Sequence, residues 1–241
     1  MDISEFKQLI EQENRQIKGM NQALSNRMED IVALSHLPKF KTNHYLPWTQ
    51  SALRPSTVML LLNEIELYDR KVIVEFGSGI STLYISQLIA GTDRQLYSID
   101  DDAGWQSVVK QQAEKLGIPL NNTHFIEAPL SPYSNGSYND NWYDSEVILQ
   151  ALPEAGIELV LVDGPSAKPV LNPRARFPAL PVLHSRLSED FAVYLDDCNR
   201  PGEQSIAKSW SESYDLDGLF LPERGNICLL HRKGKRRFNV T

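Results

Sequence analysis

The sequence predicts an α/β protein: a doubly wound, mostly parallel seven-stranded sheet that closes in a C-terminal antiparallel hairpin, preceded by a long N-terminal helix. Three observations carry that expectation. Val72-Ile-Val-Glu-Phe76 is a short apolar run that leads straight into Gly77 and Gly79, the pattern of a buried strand entering a tight turn. Further short apolar runs follow at the spacing of strand–helix units, and several of them end in a carboxylate. The last two, Gly218-Leu-Phe-Leu221 and Asn226 to His231, are separated by a short stretch that includes Pro222 and Gly225, which fits a hairpin.

Composition sets the bounds. A chain of 241 residues with 41% hydrophobic content can bury one sizeable core and carry appendages. Its apolar runs all fall short of a bilayer span, and Met1 to Phe6 lacks the basic and apolar regions of a signal peptide, so a cytoplasmic protein is expected. A net charge of −7 opposes general affinity for nucleic acid. Only Arg232 to Arg237 is basic, and it reads as a solvated end or an anion contact. Cys198 and Cys228 are too few for a disulfide framework and read as buried thiols.

Three parts are expected. Residues 1–38 form a helical extension: Asp2 can cap it with Glu5 three residues later, and Ile3, Ile10, Ile17, Leu24 and Ile31 recur every seven residues. The companion positions are mixed, with Phe6, Met20 and Leu34 interrupted by Glu13 and Arg27, so a homodimer seam and a helix lying across its own domain both fit. Residues 39–55, with His44, Tyr45, Trp48 and the prolines Pro47 and Pro55, read as a lid over a site or as a linker whose Trp48 packs on the domain. The remainder, 56–241, is the main domain, entered by a helix beginning near Ser56 or Thr57.

Within that domain the glycine turn opens a helix that Ser81 and Thr82 can cap, and the two glycines permit close approach of a ligand. A second strand, from Gln95, ends at Asp100, roughly 20 residues beyond the turn, where doubly wound folds place the acid that accepts both ribose hydroxyls. Asp101 and Asp102 can instead cap the next helix. The third strand, Thr123 to Ala128, stops at Pro129, and its edge borders the adenine in such a fold. Residues 131–143 form a loop or hairpin whose four aromatic side chains can stack on a ring or hold the loop down. Strands from Ile157 and from Phe191 end at Asp163 and at Asp196-Asp197. Strands of a parallel sheet finish on one edge, so Glu75, Asp100, Asp163, Asp196 and Asp197 should share a crevice.

Glu75-Phe-Gly-Ser-Gly79, the acidic end of the second strand, Val162-Asp-Gly-Pro165 and the final hairpin together resemble the class I S-adenosylmethionine-dependent methyltransferases over about residues 55 to 233. The third glycine of the dinucleotide fingerprint is absent, Thr82 standing in its place. The resemblance implies S-adenosylmethionine as cofactor, with Glu75, Gly77 and Gly79 facing its methionine portion and Asp100 its ribose. Ser78, Ser81, Thr82, Asp101, Ala128, Pro129 and Asp163 complete the expected cofactor set. A narrower resemblance is to small-molecule and sugar O-methyltransferases that bind magnesium through one Asp after the fourth strand and an acidic pair after the fifth, here Asp163, Asp196 and Asp197. Hard oxygen ligands suit Mg²⁺, and a metal-bound hydroxyl loses its proton more readily. The departure is Arg200, which can pair with Asp196 or Asp197 and take the cation's place.

Candidate bases are His44, Lys168 and His184, although each histidine also reads as a surface or packing residue. Arg174, Arg176 and Arg186 can contact an anionic group or lie on a solvated face. The expected function is methyl transfer to an oxygen of a small molecule or a sugar or glycan unit, with magnesium as a possible aid. The alternatives are metal-independent transfer to nitrogen or to a carboxylate, and a noncatalytic cofactor-binding partner module. A nicotinamide oxidoreductase is disfavoured by the missing glycine.

Overall fold

A computed structural model describes residues 3–136, 138–168, 170–235 and 240. Helix α1 (Ile3–His36) leads through an irregular stretch to α2 (Pro55–Leu67), whose proline at the first position is preset for a helix start. The cap expected at Asp2 lies outside the described residues. There follow β1 (Val72–Phe76), α3 (Ile80–Ile89), β2 (Gln95–Asp100), α4 (Ala103–Leu116) and β3 (Thr123–Glu127). A hairpin of β4 (Leu130–Asn135) and β5 (Tyr138–Tyr143) and a short α5 (Ser145–Ala151) precede β6 (Ile157–Val162). The chain then runs through α6 (Ala179–Leu183), β7 (Leu187–Leu195), α7 (Pro201–Tyr214), β8 (Leu216–Leu221) and β9 (Ile227–Arg232).

The seven-stranded sheet has the order β3-β2-β1-β6-β7-β9-β8. Its first five strands are parallel, and β9 pairs antiparallel with both β7 and β8. The expected fold class is therefore the observed one. Chain direction reverses outward from β1 and β6, so the crevice between the carboxyl ends of these two strands is where a ligand fits in a doubly wound sheet.

Both faces of the central strands are covered, which is why they read as unbroken apolar runs. On one face Ile73, Leu96, Leu161 and Tyr194 pack against Leu61 and Ile65 of α2 and Ile85 and Ile89 of α3. On the other, Val74, Phe76, Val160 and Val193 meet Trp142, Leu180, Ile206 and Trp210. Burying a Leu- or Ile-sized side chain contributes about 2 kcal/mol, so these two layers supply most of the drive to fold.

One element differs from expectation. β7 starts four residues before the apolar run at Phe191, with exposed Glu189 and Asp190 inside it. Pairing with β6 explains this extension: Leu187 is in register with Ile157, and the ladder resumes at Ala192 opposite Leu159 after an irregularity. Residues 130–143, read from the sequence as a loop or hairpin, form a separate two-stranded hairpin. Three of its four aromatic side chains, Tyr138, Trp142 and Tyr143, are buried, with Trp142 and Tyr143 against Phe76 at ring separations of 5.4 and 5.9 Å.

Candidate functional site

The turn after β1 is held from beneath by a carboxylate. Glu75 is fully buried, and its two oxygens accept from the hydroxyls of Ser81, Thr82 (2.5 Å) and Ser98 (2.7 Å). Thr82 in turn accepts from the Gly79 N–H at 2.8 Å, locking the first turn of α3. Burial raises the Glu75 pKa, and the three hydroxyls oppose that rise by bonding the ionised form. Glu75 and Thr82, expected to face a cofactor, thus shape the turn from inside and lie off the cavity wall.

Gly77 is at φ 94°, and a Cβ on it would come within 3.1 Å of the Asp163 backbone. Here the ends of β1 and β6 touch, with the Asp163 N–H donating to the Phe76 carbonyl at 2.9 Å. Positive φ and this contact together require glycine. Across the turn, Asp100 accepts from the N–H groups of Ser78 (2.8 Å) and Asp102 (3.0 Å). The two bonds fix its carboxylate at the mouth of β2, and burial raises its pKa while they lower it. Asp102, not Asp100 or Asp101, caps α4, accepting from the Trp105 N–H at 2.9 Å.

These groups border a cavity of about 670 Å³, inside the range of small-molecule sites. Gly77, Ser78, Gly79, Ser81 and Asp100–Asp102 form its floor, with Trp105, Val109 and Gln112 of α4 on one wall. Tyr143 and Asp163–Ser166 form the opposite wall. Leu46, Pro47, Thr49 and Ser51–Leu53 close a further side, so part of the 39–55 stretch lines the site. Trp48 of that stretch packs instead near Tyr84 at 6.0 Å and donates Nε1 to the Leu53 carbonyl at 3.0 Å. Ala128 is buried with its N–H on the Asp100 carbonyl, and neither it nor exposed Pro129 reaches the wall.

Sequence reading missed Trp105, whose indole N–H donates to the Ser78 carbonyl at 2.6 Å, and Gln106, whose amide reaches the Ser78 hydroxyl and the Ser98 and Ile126 carbonyls. Gln106 sits one helical turn after the Asp102 cap, and that spacing was the available signal.

At the other end of the crevice Asp163, Asp196 and Asp197 converge, one oxygen of each lying within 4.8 Å of the others. The donor set by itself suits Mg²⁺. The fit fails at its centre, because Arg176, 3% exposed, already binds the cluster. Its Nη2 donates to the Asp163 carboxylate and carbonyl, both at 2.9 Å, and lies 3.1 Å from Asp197 Oδ2, while Nη1 donates to the Asp196 carbonyl at 3.0 Å. Arg200 also pairs with Asp197, at 2.8 Å, but is 43% exposed. The arginine expected in the cation's place is therefore joined by a deeper one, Arg176, from the connection before α6. A dication about 4 Å from a guanidinium would meet roughly 8 kcal/mol of repulsion at an effective dielectric of about 20.

Burial is the main force lifting the acids. It raises Asp163 well above the usual carboxylate range, helped by the Asp196 charge, and raises Asp196 to about 6, with the Asp197 charge adding. Burial disfavours the Arg176 charge, yet Asp163, Asp197, Asp196 and Glu203 together push its pKa up.

The expected bases do not gather here. His184 lies on the short helical turn before the amino end of β7, opposite the crevice, and its ring sits 4.3 Å from Tyr214. Burial and Arg232 lower its pKa. His44 and Lys168 are exposed and off the cavity wall. Arg174 stacks over Phe177 at 4.4 Å, and Arg186 donates to three backbone carbonyls, so both are structural.

No protein-family model matches the chain, and no curated protein matches it in sequence. Solved structures do match. A Staphylococcus aureus protein provisionally assigned as a caffeoyl-CoA O-methyltransferase superposes with TM-score 0.56 at 13% identity, over 78% of this chain and 86% of that one. The O-methyltransferase TomG of Streptomyces achromogenes, from tomaymycin synthesis and in complex with S-adenosylmethionine, gives TM-score 0.51 at 13% identity, over 78% and 91%. An O-methyltransferase of Bacillus cereus in complex with S-adenosylhomocysteine gives 0.50 at 12%, over 87% and 90%. The likeness is one of fold: the chain has the class I methyltransferase architecture.

Proposed function

We propose that this protein is an S-adenosylmethionine-dependent methyltransferase acting on an oxygen of a small molecule, a sugar or glycan unit being one such acceptor, and that it works without a divalent metal. The observation that carries the reading is the joining of two half-sites in one crevice: the glycine turn with Asp100 at one end, and a half-buried acid cluster opening onto the same cavity through Asp163 at the other.

S-adenosylmethionine brings an activated methyl group, and the chain's task is to align an acceptor with it. Asp100 is oriented to accept from a ribose diol, and Ser78 and Gly79 let a ligand approach the backbone. Trp105 and Val109 offer an apolar wall for the base, a different wall from the Ala128–Pro129 edge. Asp163 borders the acceptor side. Burial raises its pKa, which makes it a stronger base toward a hydroxyl than an ordinary carboxylate, and Arg176 keeps it in place. Most of the acceleration then comes from holding nucleophile, methyl carbon and leaving sulfur in line.

Magnesium assistance through Asp163, Asp196 and Asp197 is the less favoured branch, because Arg176 already engages the carboxylates of Asp163 and Asp197. Transfer to nitrogen and a noncatalytic cofactor-binding role are further alternatives.

Calorimetric titration of S-adenosylhomocysteine, with Mg²⁺ and again with EDTA, tests the reading. Binding that is equal under both conditions is expected. Absence of binding under both sinks the methyltransferase reading, and a separate saturable Mg²⁺ site in the wild type restores the metal-assisted branch. Isotope transfer from labelled cofactor to phenolic, sugar and amine acceptors then identifies the acceptor atom.

A further inference from the structure

Helix α1 has two unlike faces. Over its C-terminal third it is docked: Asn26, Ala33 and Leu37 at its end are buried. Asp30 accepts from Arg54 Nε at 2.9 Å and from the Ser56 hydroxyl at 2.7 Å, and Glu29 pairs with Arg224 at 2.5 Å. Ahead of Asn26 the helix leaves the domain. Every side chain described from Glu5 to Ser25 is exposed, over roughly 30 Å of helix.

A projecting helix of this length gains little from intrinsic propensity and normally owes its stability to packing. This one shows solvent a continuous apolar stripe on the face turned away from the domain. Ile10, Ile17, Leu24 and Ile31 recur every seven residues, with Phe6, Met20 and Leu34 at the companion position, and exposure reaches 70% at Met20 and 67% at Ile31. Glu13 and Arg27 break the companion row, one on each side of Met20. A strict seven-residue repeat is the requirement for two helices to stay in contact along their length.

We infer that α1 pairs with α1 of a second copy of this chain, running antiparallel about a two-fold axis near the middle of the helix. The two charged interruptions decide the direction. In a parallel, in-register pair, Glu13 would face the partner's Glu13 and Arg27 the partner's Arg27, two like-charge contacts at the seam. In an antiparallel pair, the registers that set one heptad row against the other bring Glu13 within about one helical turn, 5.4 Å, of the partner's Arg27. Two-fold symmetry then makes that contact twice, so the stripe is complementary to itself in charge as well as in apolar character. The docked residues Asn26, Ala33 and Leu37 lie on the other side of the helix, so the partner helix adds without displacing the domain. The inference is independent of the methyltransferase reading.

Sedimentation equilibrium of the full chain and its variants tests it. The wild type is expected to be a dimer, and Leu24→Asp a monomer. Glu13→Arg and Arg27→Glu should each weaken dimerisation about tenfold, and the double variant Glu13→Arg/Arg27→Glu should restore it, since only the antiparallel pair couples the two sites. A spin label at residue 8 should report a separation of roughly 30 Å or more, against about 20 Å or less for a parallel pair. A monomeric wild type, or a dimer that survives Leu24→Asp, overturns the helix seam. Single reversals without effect, or a double variant as weak as the singles, overturn the antiparallel direction. All of these side chains are exposed, so unchanged helical circular dichroism in each variant separates loss of pairing from loss of fold.

Discussion

The two ends of the crevice are built in opposite ways. At the glycine-turn end, each carboxylate is answered by uncharged donors: Glu75 by hydroxyls at 81, 82 and 98, and Asp100 by backbone N–H groups at 78 and 102. At the acid-cluster end, the buried Arg176 guanidinium arrives from the connection between β6 and β7 to bond the carboxylates of Asp163 and Asp197 and the backbone carbonyl of Asp196, and Arg200 pairs with Asp197 from its more exposed side. Neutral donors fix the first end, with no buried counter-charge among the bonds to its two carboxylates. A balance of buried charges fixes the second, and removing one member leaves the others exposed to an energetic penalty. The contrast teaches that one fold edge can carry a rigid cradle beside a tunable polar centre, and it ranks the variants that follow.

Arg176→Leu should have the largest effect. Removing the buried partner of a carboxylate pair typically destabilises by about 3–5 kcal/mol, because the surviving charges stay desolvated. Urea denaturation should show a loss of this order, reduced when Asp163→Asn is added to the same chain. A loss below about 1 kcal/mol would mean that the acids carry protons rather than charge, and the contrast between the two ends would fall.

Asp100→Ala should come next, and it acts on binding rather than on folding. Charged hydrogen bonds of the kind a carboxylate makes with a diol are worth about 1.5–3 kcal/mol, so affinity for S-adenosylhomocysteine should fall about 10- to 100-fold with little change in the denaturation midpoint. A large shift in that midpoint with affinity intact would recast Asp100 as a prop for the turn, like Glu75.

pH sharpens the comparison further. Asp196 is raised from its ordinary 3.8 to about 6 in the folded state. Between those values the folded chain holds a proton at Asp196 that the unfolded chain has released, so this group's contribution to stability falls as pH rises from about 4 to about 6 and is level above that. Asp196→Asn removes this dependence. The difference between wild type and variant should therefore shift by on the order of 2 kcal/mol across that window, in the variant's favour as pH rises. A difference that is flat with pH would place Asp196 in an environment no harsher than water.

Local pattern made the carboxylates at both ends legible and left dark the buried guanidinium that answers those of one end. Strand β1, the glycine turn and the acid closing β2 lie within a single stretch of sequence, and each obeys a periodicity or turn rule that leaves few alternatives. The roles of Glu75 and Thr82 were misjudged because a motif states which residues sit near a turn and not which side of it they occupy. Arg176 belongs to no motif. It sits among Arg174, Arg186 and several prolines, and only the packing of the 163–187 connection beneath Asp196 separates it from its neighbours. Arg200 was the natural choice from sequence because it stands three residues after Asp197, and local spacing favours such a pair over one drawn from a distant loop.

The smallest expected effect tests the other half of that lesson. His184 and Lys168 attract attention in the sequence because histidine and lysine can exchange protons near neutral pH, but neither borders the cavity. His184 lies at the amino end of β7, and the carboxylates lie beyond its carboxyl end, the full nine residues of the strand away, or about 30 Å. No side chain spans that distance, so a proton taken at His184 cannot come from an acceptor held beside Asp163. His184→Ala and Lys168→Ala should each change methyl transfer less than twofold, and stability by no more than about 0.5 kcal/mol, as is usual for exposed positions. A tenfold loss in either variant, measured as isotope transfer at saturating cofactor, would require the connection between β6 and β7 to fold over the crevice during turnover, and would move the search for the base from the acid cluster to that segment.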